Sequence, residues 1–163
     1  MVEFEPAIKA LTAKEVDFVI IGGVAISVHS SGYITRDLDF CYRRTTENLN
    51  RIAAAFAPFS PRLRGFPENL PFVWDERTLQ GGTNFTLTTT IGDIDMLGEV
   101  AGVGDYEAVK RESIPTKLYD CGVRVLTLDG LISAKRAAGR VKDLLVLPEL
   151  EALKELLSET EEK

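Results

Sequence analysis

A glycine pair, Gly22-Gly23, closes the apolar run FVII and is followed, one helix-length later, by Asp37-Leu38-Asp39. Glycines at the end of a strand let the backbone approach a polyphosphate closely, and the N–H groups of a helix that starts there can receive its charge. On alternate positions of a strand, Asp37 and Asp39 project from one face about 6.5–7 Å apart, while Leu38 and Phe40 point into the core. Like charges held so close repel each other unless a divalent cation sits between them. A second acidic pair, Asp93 and Asp95, lies in the run DIDML. If that strand lies beside the first, three carboxylates converge and can hold one or two Mg²⁺ or Mn²⁺ ions, leaving coordination positions open for phosphate oxygens. Two such ions can stabilise the attacking and leaving oxygens of a phosphoryl or nucleotidyl transfer.

These residues need a frame, and the patterning predicts one. Residues 5–15 read as a helix, Asp17–Ile21 as a buried strand, and Gly23–Ser30 as a helix of small apolar residues. A second strand covers Leu38–Arg43. Thr46–Ala57 is a strong amphipathic helix closed by Pro58. Residues 58–82 hold four of the seven prolines and are too long and irregular for a simple connection. A lid, an acceptor-binding loop and a peripheral flap all remain open for them. Asn84–Thr89 and Asp93–Leu97 form a hairpin through Ile91-Gly92, and Leu118-Tyr119 with Val123–Leu126 form a smaller one around Asp120–Gly122. Thr127 or Asp129 caps a helix through Ala138, Gly139 interrupts it, and helical segments on either side of Pro148 finish the chain. The order of elements predicts an α/β (α+β) fold, a mixed sheet with helices on one face and the chemistry on the other. One domain is expected over 1–163, with a core at about 16–147, a C-terminal helix at 148–158 and a frayed tail at 159–163.

Composition narrows the function classes. At 163 residues, 45% apolar and 27% charged, the chain can bury a core of its own, and neither disorder nor a fibrous class is indicated. The net charge of −6 argues against coating nucleic acid through bulk electrostatics. The charge is uneven: Arg36 to Arg64 carries six basic against three acidic residues, and Glu149 to Lys163 six Glu against two Lys. A basic patch beside the aspartates suits a polyphosphate or an RNA end better than a long duplex. No apolar run reaches membrane-spanning length, and MVEFEP has neither a basic region nor a signal-like stretch, so a cytoplasmic location and no membrane partner are expected. Cys41 and Cys121 lack ligand or redox spacing and read as reduced thiols. Trp74 reads as packing rather than a base-stacking platform.

The runs GGVAISVHSSGYITRDLDF, DIDMLG and KRAAGRVKDL together resemble the minimal nucleotidyltransferases of the DNA polymerase beta-like superfamily, in particular the branch containing the abortive-infection toxins. The resemblance covers about Val19 to Leu153. It implies a nucleotidyltransferase-like mixed sheet, with Gly22, Gly23, Asp37 and Asp39 in the superfamily's glycine and Asp-x-Asp positions and Asp95 as its third carboxylate, Asp93 being the fallback. It further places a helix lysine at Lys135 and an Arg-x-Lys-Asp turn at Arg140 to Asp143. Lysine and arginine there can neutralise a nucleoside triphosphate and its pyrophosphate leaving group. Three positions depart from the branch's pattern: Ser30 replaces a Gly, Tyr33 an Arg and Val146 an Asp. Tyr33 can hydrogen-bond or stack, but it cannot make arginine's bidentate phosphate contact.

The resulting expectation is transfer of a nucleoside monophosphate from a triphosphate to an acceptor hydroxyl or phosphate, an RNA end, a protein or a small molecule. Gly22, Gly23, Ser27, Thr35, Arg36, Lys135, Arg140 and Lys142 are the candidate phosphate-binding residues. Asp37, Asp39 and Asp95 are the candidate metal and catalytic residues, with His29, Tyr33, Asp93 and Asp143 around them. The alternative, which the departures favour, is a weak or inactive module that binds a nucleotide or a cognate partner protein, as in a toxin–antitoxin pair. A metal-dependent phosphoesterase fits less well, because His29 is the only histidine.

Overall fold

In the computed structural model, residues 4–161 are described. In chain order the helices are α1 (Phe4–Ala13), α2 (Gly22–His29), α3 (Thr46–Phe56), α4 (Glu76–Gln80), α5 (Tyr106–Arg111), α6 (Leu128–Ala138) and α7 (Val141–Glu161). The strands are β1 (Phe18–Ile21), β2 (Leu38–Tyr42), β3 (Arg62–Leu63), β4 (Asn84–Thr89), β5 (Gly92–Leu97), β6 (Glu99–Val100), β7 (Gly104–Asp105), β8 (Ser113–Leu118) and β9 (Cys121–Leu126). Seven strands form a mixed sheet in the order β3-β4-β5-β2-β1-β9-β8, and β6 pairs with β7 apart from it. The fold is the expected mixed α/β sheet, and its centre, β5-β2-β1, is where the acidic strands meet.

Alternation along β2 separates core from chemistry. Leu38, Phe40 and Tyr42 are buried on the face that α1 and α3 cover, with the Phe40 ring 5.9 Å from Phe18 and 6.0 Å from Phe56. Thr45 caps α3 by accepting from the Asn48 N–H. Buried Asn48 then ties the helix to the sheet, accepting from the Asp17 N–H at 2.7 Å and donating to the Arg43 carbonyl at 2.8 Å. Asp39 faces the other way. That opposite face is walled by α6 and the first turns of α7, which pack against each other, while α2 packs against β2 and α6.

Several elements differ from their expected form. The small hairpin is longer than its apolar pattern, running Ser113–Leu118 to Cys121–Leu126. Its turn uses Tyr119 and Asp120, both at positive φ (51° and 63°), the geometry that normally selects Asn-Gly. The helical segments around Pro148 are one helix that contains the proline. Residues 58–82 are partly ordered: a 3₁₀ turn at Ala57–Phe59, then β3 and α4. Within them the Arg62 guanidinium donates to the Pro67 and Leu70 carbonyls and lies over the Phe66 and Phe72 rings. Trp74 packs on Phe56 and donates to the Ala53 carbonyl at 2.9 Å. Cys41 is buried, and that burial pushes its thiol up to about 12. No helix among the described residues is long and apolar enough to cross a membrane.

Candidate active site

Strands β2 and β5 run parallel, with Leu38 opposite Ile94 and Asp39 opposite Asp95. Cross-strand partners share a face, so the two carboxylates stand side by side above the sheet. Asp37 precedes β2 and lines the same cleft. The cleft holds about 490 Å³ and is floored by Ile21, Thr86 and Leu97, flanked by Gly22, Gly23, Tyr33 and Thr35, and closed by Lys135, Arg140, Lys142 and Asp143. Its size is ordinary for a small-ligand site.

The glycine pair is required twice over. Gly22 sits at φ +62°, and a Cβ there would run into the Asp39 carboxyl, 2.9 Å from its Cγ; a Cβ on Gly23 would lie 2.6 Å from the Thr35 Cβ. The backbone thus passes directly over the acid. Helix α2 starts here from Ile21, with no side chain capping its first N–H groups. An uncapped helix start beside a cleft is suited to an anion.

Electrostatically the acids are unbalanced. Burial pushes the Asp39 carboxyl up to about 7, assisted by the charge of Asp95, a hydrogen bond with Asp95 and the charge of Asp37, against a small opposing pull from Lys135. An oxygen-only donor set whose charges repel in this way fits a hard divalent cation. The expected three-carboxylate site is nevertheless not assembled. Among the described residues, no three His, Cys, Asp or Glu side chains are grouped so as to hold an ion. Asp95 is engaged elsewhere, its Oδ1 2.9 Å from the Arg64 Nη2, and Asp93 Oδ2 lies 3.4 Å from the Arg64 Nε.

The positive wall has its own organiser. Asp143 is fully buried and accepts from the Lys135 Nζ at 3.1 Å and the Arg140 Nε at 2.6 Å. Burial opposes its ionisation, but the hydrogen bonds and charges of Arg140 and Lys135 prevail and bring its carboxyl down to about 2. Both cations are thereby fixed at the end of the cleft facing the acids.

Of the residues predicted from sequence, Gly22, Gly23, Tyr33, Thr35, Asp37, Asp39, Asp95, Lys135, Arg140, Lys142 and Asp143 line this cleft, as does Val146. Four do not. Ser27 donates back to the Val24 carbonyl at 2.6 Å, His29 bonds the Leu126 carbonyl at 3.0 Å, Arg36 is exposed, and Asp93 pairs with Arg64. Sequence reasoning missed Thr86, which faces Asp95 from β4, and Arg64. Thr86 was recoverable from the alternation of β4; nothing local marked Arg64.

No family model matches the chain, and no curated protein matches it. Solved structures do. A candidate nucleotidyltransferase from Thermotoga maritima superposes with a TM-score of 0.56 at 16% identity, covering 94% of this chain and 89% of that one. The enzyme ANT(2″)-Ia, solved with adenylyl-2″-tobramycin, gives 0.56 at 13% identity over 96% and 95% of the two chains. An antigenic nucleotidyltransferase-like protein from Paracoccidioides brasiliensis gives 0.51 at 14% over 96% and 78%. The chain has the fold of nucleotidyltransferases; the similarity does not single out the abortive-infection branch.

Proposed function

We propose that the protein is a nucleotidyltransferase, moving a nucleoside monophosphate from a triphosphate to an acceptor with release of pyrophosphate. The observation that carries this reading is the register of β2 and β5, which sets Asp39 beside Asp95 under the Gly22 turn. The N–H groups of the first turn of α2 receive the triphosphate, which Gly22 and Gly23 admit at close range. Lys135, Arg140 and Lys142, on the opposite wall, neutralise its outer phosphates and the pyrophosphate that leaves. Asp37, Asp39 and Asp95 would hold the divalent cation, Mg²⁺ or Mn²⁺, which would supply charge neutralisation at the transferred phosphate. Tyr33 offers a hydroxyl and a ring at the cleft mouth, where an arginine would have gripped phosphate.

The adenylylated product bound by ANT(2″)-Ia supports a small-molecule hydroxyl as one acceptor class, beside an RNA end or a protein. The test is transfer of label from α-labelled nucleoside triphosphates to cell RNA, protein and small polyols, with Mg²⁺ or with chelator. Label should move only with the cation, and Asp39→Ala should abolish transfer while leaving the circular dichroism spectrum unchanged. Full turnover by that variant would refute the assignment.

A second reading, nucleotide binding without turnover and with a cognate partner protein, draws on the Asp95–Arg64 ion pair and on Val146 in place of a carboxylate. Calorimetry separates the two: tight triphosphate binding with no label transfer to any acceptor favours the module.

A further inference from the structure

Arg64 follows the short strand β3 and is anchored by the sheet. Its backbone N–H donates to the Thr86 carbonyl at 2.8 Å, and its Nη2 donates to the Leu87 carbonyl at 3.1 Å. The same Nη2 reaches Asp95 Oδ1 at 2.9 Å, and the Nε lies 3.4 Å from Asp93 Oδ2. One guanidinium therefore faces two carboxylates of β5, one of them the register partner of Asp39. Around the acids the charges are Asp37, Asp39, Asp93 and Asp95 against Arg64 on one side, with Lys135 and Arg140, paired to Asp143, and Lys142 on the other.

We propose that Arg64 is the resident counter-cation of this acidic cluster, engaging Asp95 and setting how tightly the cluster takes up a divalent ion. This rests on the assignment of Asp37, Asp39 and Asp95 as ligands. The physical argument is competition. A positive group within hydrogen-bonding distance of a ligand oxygen occupies one of its lone pairs and would repel an incoming dication. Loading the cluster therefore works against the Arg64 charge, and the Asp95 Oδ1 is open to a cation only to the extent that Arg64 gives it up. A nucleoside triphosphate favours loading, because its oxygens can ligate the same cation and add negative charge beside it. Cation and nucleotide then load together rather than in sequence. Arg64 acts through Asp95 and is a positioning residue.

The test is Mn²⁺ binding in the absence of nucleotide, read as loss of the free-ion paramagnetic resonance signal. Arg64→Ala should bind Mn²⁺ about tenfold tighter than wild type, equal to about 1.4 kcal/mol, with Arg64→Lys between them. Arg64→Gln keeps a donor for Asp95 and Leu87 without the charge and should behave as the alanine variant does. A damaged fold would weaken binding, so a gain in affinity cannot come from disruption. In chelator, Arg64→Ala should melt below wild type, since the repulsion between Asp93 and Asp95 is then unrelieved. A non-hydrolysable triphosphate should raise wild-type affinity and narrow the gap between the proteins. Unchanged or weaker Mn²⁺ binding by both Arg64→Ala and Arg64→Gln, with binding still lost in Asp39→Ala, overturns the role of Arg64 alone. Binding that survives Asp39→Ala overturns the ligand assignment itself.

Discussion

Asp39 bears an electrostatic cost that its neighbours make visible. Burial and the charge of Asp95 push its carboxyl up to about 7, above the usual carboxylate value, so folding favours the protonated form. The stability attached to that proton is complete below about pH 4 and is lost as pH rises through 7. Asp39→Asn should therefore raise the melting temperature of chelator-treated protein at pH 8 and leave it unchanged at pH 4. Each kcal/mol relieved is worth about 2–4 °C in a domain of this size, and thermal melts at the two pH values check it. On the proposed function, the same variant should lose any stabilisation of the wild type by Mg²⁺ with nucleotide, the exchange of stability for function that clustered charges impose. Gly22 sets a different limit. Gly22→Ala combines a strained φ with overlap onto the Asp39 carboxyl, and it should cost at least about 2 kcal/mol in chemical denaturation.

Asp143 joins two elements, and its energetics belong to the junction of α6 and α7. It is fully buried, and its carboxyl lies at about 2, so its contribution is present above pH 4 and is lost as pH falls through 2. Asp143→Asn should lower stability at pH 7 by about 2 kcal/mol, with the difference shrinking as the two proteins are titrated from pH 4 toward 2. Helix α6 was readable in advance because its signals are local: Thr127 accepts from the Gly130 N–H, and Gly139 ends the helix in a left-handed conformation. The hairpin β8–β9 was underread because Tyr119 and Asp120 occupy a turn that residues of their kind seldom adopt. The unit from β6 to α5 escaped notice for another reason. Its strands are two residues each and turn on Gly102 and Gly104 at positive φ, too short for any period to register. The acids and glycines of the site could be found from spacing, whereas the Arg64 contacts depend on how β3 pairs with β4, a register that no local pattern encodes.

Across the whole molecule, the cleft is assembled mainly from three distant stretches of chain: the turn from Ile21 to Asp39, the β4–β5 hairpin, and the α6–α7 junction, with Val100, Ala101 and Leu126 completing it. A ligand spanning it must bridge the acidic sheet face and the cationic helical wall, which the packing of α2 against α6 and of α6 against α7 holds together. The outer side of α7 adds little to that coupling, because Val141, Leu145 and Leu156 are exposed. Binding to the folded state alone adds about 2.7 kcal/mol at a hundredfold excess over the dissociation constant. With the conversion used above, Mg²⁺ and a non-hydrolysable triphosphate should raise the melting temperature by about 5–11 °C. If the triphosphate joins the two walls as proposed, amide exchange should slow together at residues 22–26 and 135–143 and stay unchanged at the β8–β9 turn. Lys135→Ala should remove the protection at 135–143 and retain part of it at 22–26, since the uncapped start of α2 still holds phosphate. Protection confined to one wall in the wild type would show that the cleft does not bind its ligand as a bridge, and the assignment of opposite walls to opposite ends of the triphosphate would fall with it.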